Sequence, residues 1–270
     1  MMDNLILLFG MPRSGTTIIS RLISNHSRVS AIIEPYHTRR DKDYSVVHPA
    51  DLCDDFNIKM QDGSSVLVKE TFTRERNIHL VRDLLENSSR NCLRSAHILV
   101  LRSPLEAFLS QIEATEQYWT KAKNFAETEK SLKSFWTVFS KCMECYLDFA
   151  LRFHRRVIVY DRFVGQPAEE IGRAMGLFGY QFERSQMDLN SAMSGFGGDP
   201  KAKAAYPEVI AGGDRFRAEG VARISGRFAS MPEFASMRSL HEYIKHIATV
   251  SPPSELIVRD MALLLRRGTI

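Results

Sequence analysis

Gly10-Met11-Pro12-Arg13-Ser14-Gly15-Thr16-Thr17 sets a glycine, four residues, a second glycine and then two hydroxyl side chains between an apolar run and an amphipathic stretch. This is the frame of a loop whose backbone N–H groups cradle an anion at a helix N-terminus. A glycine turn joining strand to helix is its plain structural alternative. The departures from the ATP-type loop carry more information. Thr16 stands where that loop has the lysine that neutralises the β- and γ-phosphates, and Arg13 is the only cation in the octapeptide. A second junction, His97 to Leu101, ends in Arg102, where a kinase or GTPase needs an aspartate to hold Mg²⁺. A cation there repels magnesium and attracts an anion. The two sites together call for a metal-free ligand with two separated anionic groups, one on the loop and one near Arg102 and Ser110. A 3',5'-bisphosphorylated nucleotide fits that description.

These residues must be held by strand ends and helix starts. Leu5 to Phe9 reads as a strand buried on both faces of a parallel sheet, and Ile18, Ile19, Leu22 and Ile23 mark one face of the helix behind it, which should stop near Asn25 to Ser27. Arg28 to Ile33 reads as a second strand, with Glu34 extended at its end because Pro35 follows. Ser65 to Val68 is a third strand leading into Lys69 and Glu70, backed by a helix carrying Ile78, Leu80, Val81, Leu84 and Leu85. After Arg102, Ser103-Pro104-Leu105-Glu106 is a capping box with proline at the first helical position, so Ser110 lies about two turns into that helix. A long helix from about Ala126 to Phe153, a strand Val157 to Tyr160 and a helix from Pro167 follow. Thr38 to Met60 and residues 184 to 220 read as long loops, and helices marked by Met237 to Ile247 and by Leu256 to Arg266 close the chain. Strands alternating with helices predict an α/β fold: a P-loop-type central parallel sheet flanked by helices, with ligands beyond the carboxyl ends of the strands. The expected organisation is one domain over residues 1–270. Residues 1–180 form its donor-binding core, 184–230 a loop region closing over donor and acceptor, and 232–270 its C-terminal helices.

The sequence resembles the sulfotransferase family, whose donor is 3'-phosphoadenylyl sulfate (PAPS). Pro12 to Thr17 is similar to the family's 5'-phosphosulfate loop, and Leu101-Arg102-Ser103-Pro104 followed by Ser110 to its 3'-phosphate motif. The loop form Arg-Ser-Gly-Thr-Thr is closest to the tyrosylprotein, carbohydrate and bacterial branches. Tyr160-Asp161-Arg162-Phe163-Val164, Gly198-Asp199-Pro200-Lys201 and Ser225-Gly226-Arg227-Phe228 resemble further segments, so the likeness runs from residue 5 to about 230. The resemblance implies that Arg13, Ser14, Gly15, Thr16 and Thr17 hold the phosphosulfate. Arg102 and Ser110 would hold the 3'-phosphate, completed by Arg227 among the neighbouring Arg215, Arg217 and Arg223. Glu34 is implied as the base that takes the acceptor proton, with His37 as the alternative, and Lys69 as donor to the bridging oxygen. The plainer readings are a surface carboxylate or a partner for Arg39 or Arg40, and a lysine paired with Glu70 or solvated at a strand end. The released product would be 3',5'-adenosine bisphosphate (PAP).

The rest of the composition bounds this reading. A net charge of +4, from 36 basic against 32 acidic residues, is too even for a general nucleic-acid binder, so any anion site is local. Cys53, Cys92, Cys142 and Cys145 show no disulfide spacing and suit a reducing compartment. The Cys142/Cys145 pair reads as part of a core helix rather than a metal or redox site. Leu5 to Phe9 is too short for a signal sequence or membrane span, so a bacterial, cytoplasmic enzyme is expected. Its acceptor would be a small molecule or glycan, and the apolar face of the last helix could serve a homodimer. The rival readings are a P-loop kinase of nucleosides or small molecules, which lacks its lysine and acidic strand end, and a non-catalytic nucleotide-binding protein, which has no use for Glu34 and Lys69.

Overall fold

The computed structural model describes residues 4–38, 49–56, 64–73, 75–88, 94–117, 125–188 and 213–267. Five strands make one sheet: β1 (Asn4–Gly10), β2 (Val29–Ile33), β3 (Ser65–Thr71), β4 (Arg94–Leu101) and β5 (Arg155–Val159). Their order is β2-β3-β1-β4-β5, and every pairing is parallel. β1 is central because nothing in it needs water. Leu5, Leu7 and Phe9 point into one core, and Ile6 and Leu8 into the other, where α1 (Thr16–Ser24) brings Ile18, Ile19, Leu22 and Ile23. A side-chain period of two thus turns a continuous apolar run into a strand covered on both faces.

α2 (Pro35–Thr38) and α3 (Pro49–Asp55) follow β2, and α4 (Glu75–Ser88) follows β3. α5 (Pro104–Gln117) and α6 (Glu129–Ala150) separate β4 from β5, and α7 (Tyr160–Gly165) and α8 (Pro167–Gly176) come next. After a short 3₁₀ turn at Arg184–Met187, the chain ends in α9 (Gly213–Phe228), α10 (Pro232–Val250) and α11 (Ser254–Arg267). α8 shares the core of α1, whereas α4, α5, α6, α10 and α11 contribute to the opposite one. Cys142 is buried there between Phe139 and Met143, and burial pushes its thiol up to about 12, so the core-helix reading of that cysteine pair holds.

Three expectations need correction. The stretch 184 to 220 is not all loop, since Gly213 already begins α9. The glycines that suggested a loop hide a four-residue spacing of Gly220, Ile224 and Phe228 on the buried side. Gly220 fits there because a Cβ would lie 2.9 Å from Leu109. Thr38 to Met60 contains α3, whose Leu52 and Cys53 are buried. β5 stops at Val159, and Tyr160 opens a helix instead of closing the strand.

Candidate active site

The C-terminal ends of β1, β2, β3, β4 and β5 lie side by side, and Glu34, Lys69, Thr71 and Arg102 sit on or just beyond them. Register fixes the neighbours: Leu8 pairs with Lys69 and Lys69 with Ile33, while Gly10 pairs with both Thr71 and Val100. The turn after β1 is closed on itself, with the Ser14 amide and hydroxyl both donating to Met11 O at 3.1 and 2.7 Å. A Cβ on Gly10 would stand 2.6 Å from Ser14 Oγ and from Val100 O, so the turn admits no larger residue. Arg13 and Gly15 have positive φ of 67° and 94°. Left-handed positions in such a turn make backbone amides converge on a concavity suited to an anion. Gly15 is the N-cap of α1 and supplies no side-chain acceptor, so the first-turn N–H groups of that helix keep their capacity for one. The residues therefore fit a phosphosulfate group in the loop.

Arg102 closes β4 beside this turn. Its Nη1 donates to Arg13 O at 2.7 Å, and its guanidinium lies 4.7 Å from the centre of the Tyr160 ring. Arg13 in turn donates Nε to Ser110 Oγ at 3.2 Å, so the two anion sites expected from sequence are joined by direct contacts. Arg102 is only 8% exposed, which lowers its pKa without removing its charge. Its counter-ion is Glu106, one helical turn on, at 3.5 Å. Of the expected capping box only the Ser103 half forms, its Oγ accepting from the Glu106 amide at 3.4 Å, while the Glu106 carboxylate serves charge pairing. It also meets Lys245 of α10 at 2.5 Å, which reaches Asp161 at 3.0 Å. Burial works against the Glu106 charge, but the Lys245 hydrogen bond and Arg102 outweigh it and hold the carboxyl below its usual range. A buried carboxylate thus keeps Arg102 oriented with donors to spare, which fits a second phosphate.

The third group lies across β2 and β3. Lys69 Nζ contacts Glu34 Oε1 and donates to Thr71 Oγ1 at 2.9 Å, and Thr71 Oγ1 donates to Glu34 Oε1 at 2.8 Å. Lys69 is 1% exposed and Glu34 14% by side chain, so the base candidate is the member open to an incoming group. The plainer pairing of Lys69 with Glu70 does not occur, because neighbours on a strand point to opposite faces. Glu34 is not extended as Pro35 suggested. Its φ of 52° turns the chain out of the sheet, with its N–H donated to Lys69 O at 2.7 Å.

Some expected residues lie elsewhere. Arg227, 56% exposed, has Glu127 at 3.6 Å and the Phe228 ring as its partners, and Arg223 joins it on Glu127 at 2.8 Å. Arg217, also on α9, lies over the Tyr160 ring at 5.7 Å, the same ring as Arg102. The side chains of His37 and Arg215, and Gly198 to Lys201, lie outside the described residues. Thr71 and Lys245 were not singled out by the sequence, and Tyr160 and Glu106 only as parts of a family-like segment and a capping box. Thr71 was readable, since two residues beyond Lys69 on a strand is the same face. Lys245 was not, as 84 residues separate it from Asp161.

A family model described as "Sulfotransferase domain" matches residues 3–199. No curated protein matches the chain. Among solved structures, the sulfotransferase domain from the curacin biosynthetic pathway is 13% identical. That match covers 84% of this chain and 98% of that one, with a TM-score of 0.53. A sulfotransferase from Alicyclobacillus acidocaldarius is 16% identical, over 83% and 95%, at 0.44. Mouse sulfotransferase SULT7A1, complexed with PAP, is 12% identical over 90% of each chain, at 0.47. At such identities the first of these likenesses speaks for the fold alone.

Proposed function

The chain belongs to the sulfotransferase domain family and its reaction is sulfuryl transfer from PAPS, and from that premise we propose that Glu34, Lys69 and Thr71 carry the chemistry while the Gly10–Thr17 loop and Arg102 hold the two ends of the donor. PAPS supplies an activated sulfuryl group on a leaving oxygen. Arg13, the amides from Ser14 to Thr17 and the Thr16 and Thr17 hydroxyls bind the phosphosulfate, and Arg102 with Ser110 binds the 3'-phosphate. Glu34 removes the proton from an acceptor hydroxyl or amine as its oxygen or nitrogen bonds to sulfur. Lys69 turns from Glu34 to the bridging oxygen as the sulfur–oxygen bond breaks and charge builds there. Thr71 keeps both groups aligned by accepting from Lys69 and donating to Glu34.

The observation that carries this reading is the closed triangle of Lys69, Glu34 and Thr71 beside the loop: a buried ammonium and a more open carboxylate held in reach of one centre. Arg217, which shares the Tyr160 ring with Arg102, is the best placed of the α9 arginines whose side chains are described to complete the 3' site; Arg227 is committed to Glu127. The acceptor class is a small molecule or glycan. Cys53, Cys142 and Cys145 are free thiols, which supports a cytoplasmic location. Among the described residues no helix is long and apolar enough to cross a membrane. The test uses radiosulfate-labelled PAPS with a panel of phenols, sugars and amines, and with water alone. Glu34→Gln should keep PAP affinity within about threefold while turnover falls by about a hundredfold or more. Unchanged turnover would remove Glu34 as the base.

A further inference from the structure

Glu70 is a carboxylate that the reaction does not use, yet it is buried to 1% exposure beside the site. Both of its oxygens are taken by main chain. The Tyr36 amide donates to Oε2 at 3.0 Å and the Thr71 amide to Oε1 at 3.0 Å, with Asn77 Nδ2 adding a contact to Oε1 at 3.4 Å. Asn77, from the first turn of α4, also donates to Thr71 O at 3.2 Å. A carboxylate is costly to bury, and the hydrogen bonds to both of its oxygens offset that cost.

What it touches explains its presence. Glu34 holds a left-handed backbone, φ 52°, that a non-glycine residue adopts only when its surroundings impose it. On its N-terminal side the constraint is the bond from Glu34 N–H to Lys69 O; on its C-terminal side it is the bond from Tyr36 N–H to Glu70. Lys69 and Glu70 are consecutive and face opposite ways across β3, so one strand grips the Glu34 turn from both sides. The same carboxylate fixes the Thr71 amide, and with it the hydroxyl that links Lys69 to Glu34.

We propose that Glu70 is a positioning residue for the sulfuryl-transfer base, acting through the backbone of Glu34 and Thr71 and touching neither donor nor acceptor. This rests on the reading of Glu34 as the base. Glu70→Gln keeps the shape but turns one acceptor oxygen into an amide donor facing a backbone N–H, which lets the Glu34 turn relax. A misplacement of the order of 1 Å at a reacting group costs up to about a hundredfold in rate. The expected result is a fall in kcat of about 10- to 100-fold in hydrolysis of labelled PAPS, with KM for PAPS and calorimetric affinity for PAP within about threefold of wild type. The loss should also be non-additive: Glu34→Gln with Glu70→Gln should turn over within about threefold of Glu34→Gln alone, because a positioning residue has nothing left to position. Additive losses, or an unchanged kcat in Glu70→Gln, overturn the proposal. If Glu34→Gln itself keeps full turnover, the base reading fails first and separately. Should Glu70→Gln melt below the assay temperature, Asn77→Ala loosens the same brace at smaller cost. There, a kcat loss of at least about threefold at unchanged PAP affinity supports the proposal, and an unchanged kcat overturns it.

Discussion

Replacing Gly15 by alanine should damage both stability and donor binding, and the structure sets the size of each effect. The new Cβ would stand 2.2 and 2.3 Å from Cε2 and Cδ2 of Tyr160, more than 1 Å inside normal carbon contact. The φ of 94° adds a backbone penalty of about 1–2 kcal/mol for any L-residue with a side chain. Relief requires the Tyr160 ring to move, and that ring carries the guanidinium of Arg102 at 4.7 Å, a contact worth about 0.5–2 kcal/mol. The sum is about 1.5–4 kcal/mol, or a fall in melting temperature of about 3–16 °C for a chain of this size. Because the moved ring displaces Arg102 and the altered loop displaces its amides, PAP affinity should fall by at least about tenfold, or 1.4 kcal/mol. Gly226, inside α9, is the internal control: a Cβ there meets nothing within 4 Å, so Gly226→Ala should stabilise by about 0.5–1 kcal/mol and leave PAP binding alone. Differential scanning calorimetry and isothermal titration with PAP read both quantities. A Gly15→Ala protein with unaltered melting and PAP affinity would refute the packing of Tyr160 on the loop.

Thr71→Val removes the hydroxyl that joins Lys69 to Glu34 while filling the same space; kcat should drop about tenfold with PAP affinity unchanged, and steady-state kinetics that show no loss would dismiss the bridge. Two buried groups should give the stability curve opposing slopes in denaturant titrations. Burial depresses the His97 pKa to about 3, so its contribution is present above the ordinary 6.5 and lost as pH falls below it, by about 1.4 kcal/mol per pH unit. Glu70 is raised by burial to about 7 from 4.5, so its contribution is present below 4.5 and lost as pH rises towards 7. Relative to wild type, His97→Phe should therefore gain stability on acidification from pH 6.5 to 5, and Glu70→Gln should gain it on raising pH from 5 to 7; the same sign for both would contradict the burial argument. Arg217→Ala should weaken PAP more than 5'-AMP, whereas Arg227→Ala should change neither by more than about twofold, because its charge is spent on Glu127; equal effects on titration would cancel that distinction.

The frame of the fold was legible because it rests on local signals. The apolar run Leu5 to Phe9, the proline at Pro104 and the helical spacing of Leu105, Phe108 and Ile112 each report structure within one or two turns of their own position. Glu34, Lys69 and Arg102 stood out by their places at strand ends, Arg13 by its glycine loop and Ser110 by the family resemblance, and the structure brings Lys69 to Glu34 and Arg13 to both Arg102 and Ser110. What failed to show was set by packing between distant segments. The helix from Gly213 was hidden by its glycines, of which Gly220 is there to let Leu109 approach. The left-handed turn at Glu34 runs against the local preference of a residue before proline, and is imposed by Lys69 and Glu70 on another strand. Lys245 meets Glu106 only because α10 folds back over α5.

The most direct test of the account is whether the two ends of the donor are read by separate groups. Isothermal titration of PAP and of 5'-AMP into wild type and Arg102→Ala, in the presence of EDTA, measures it. The account predicts micromolar PAP binding by the wild type and a ratio of PAP to 5'-AMP affinity that falls at least about tenfold in Arg102→Ala, the loss of a charge-assisted phosphate contact of about 1.5–3 kcal/mol. An unchanged ratio, with both ligands weakened alike, would contradict it.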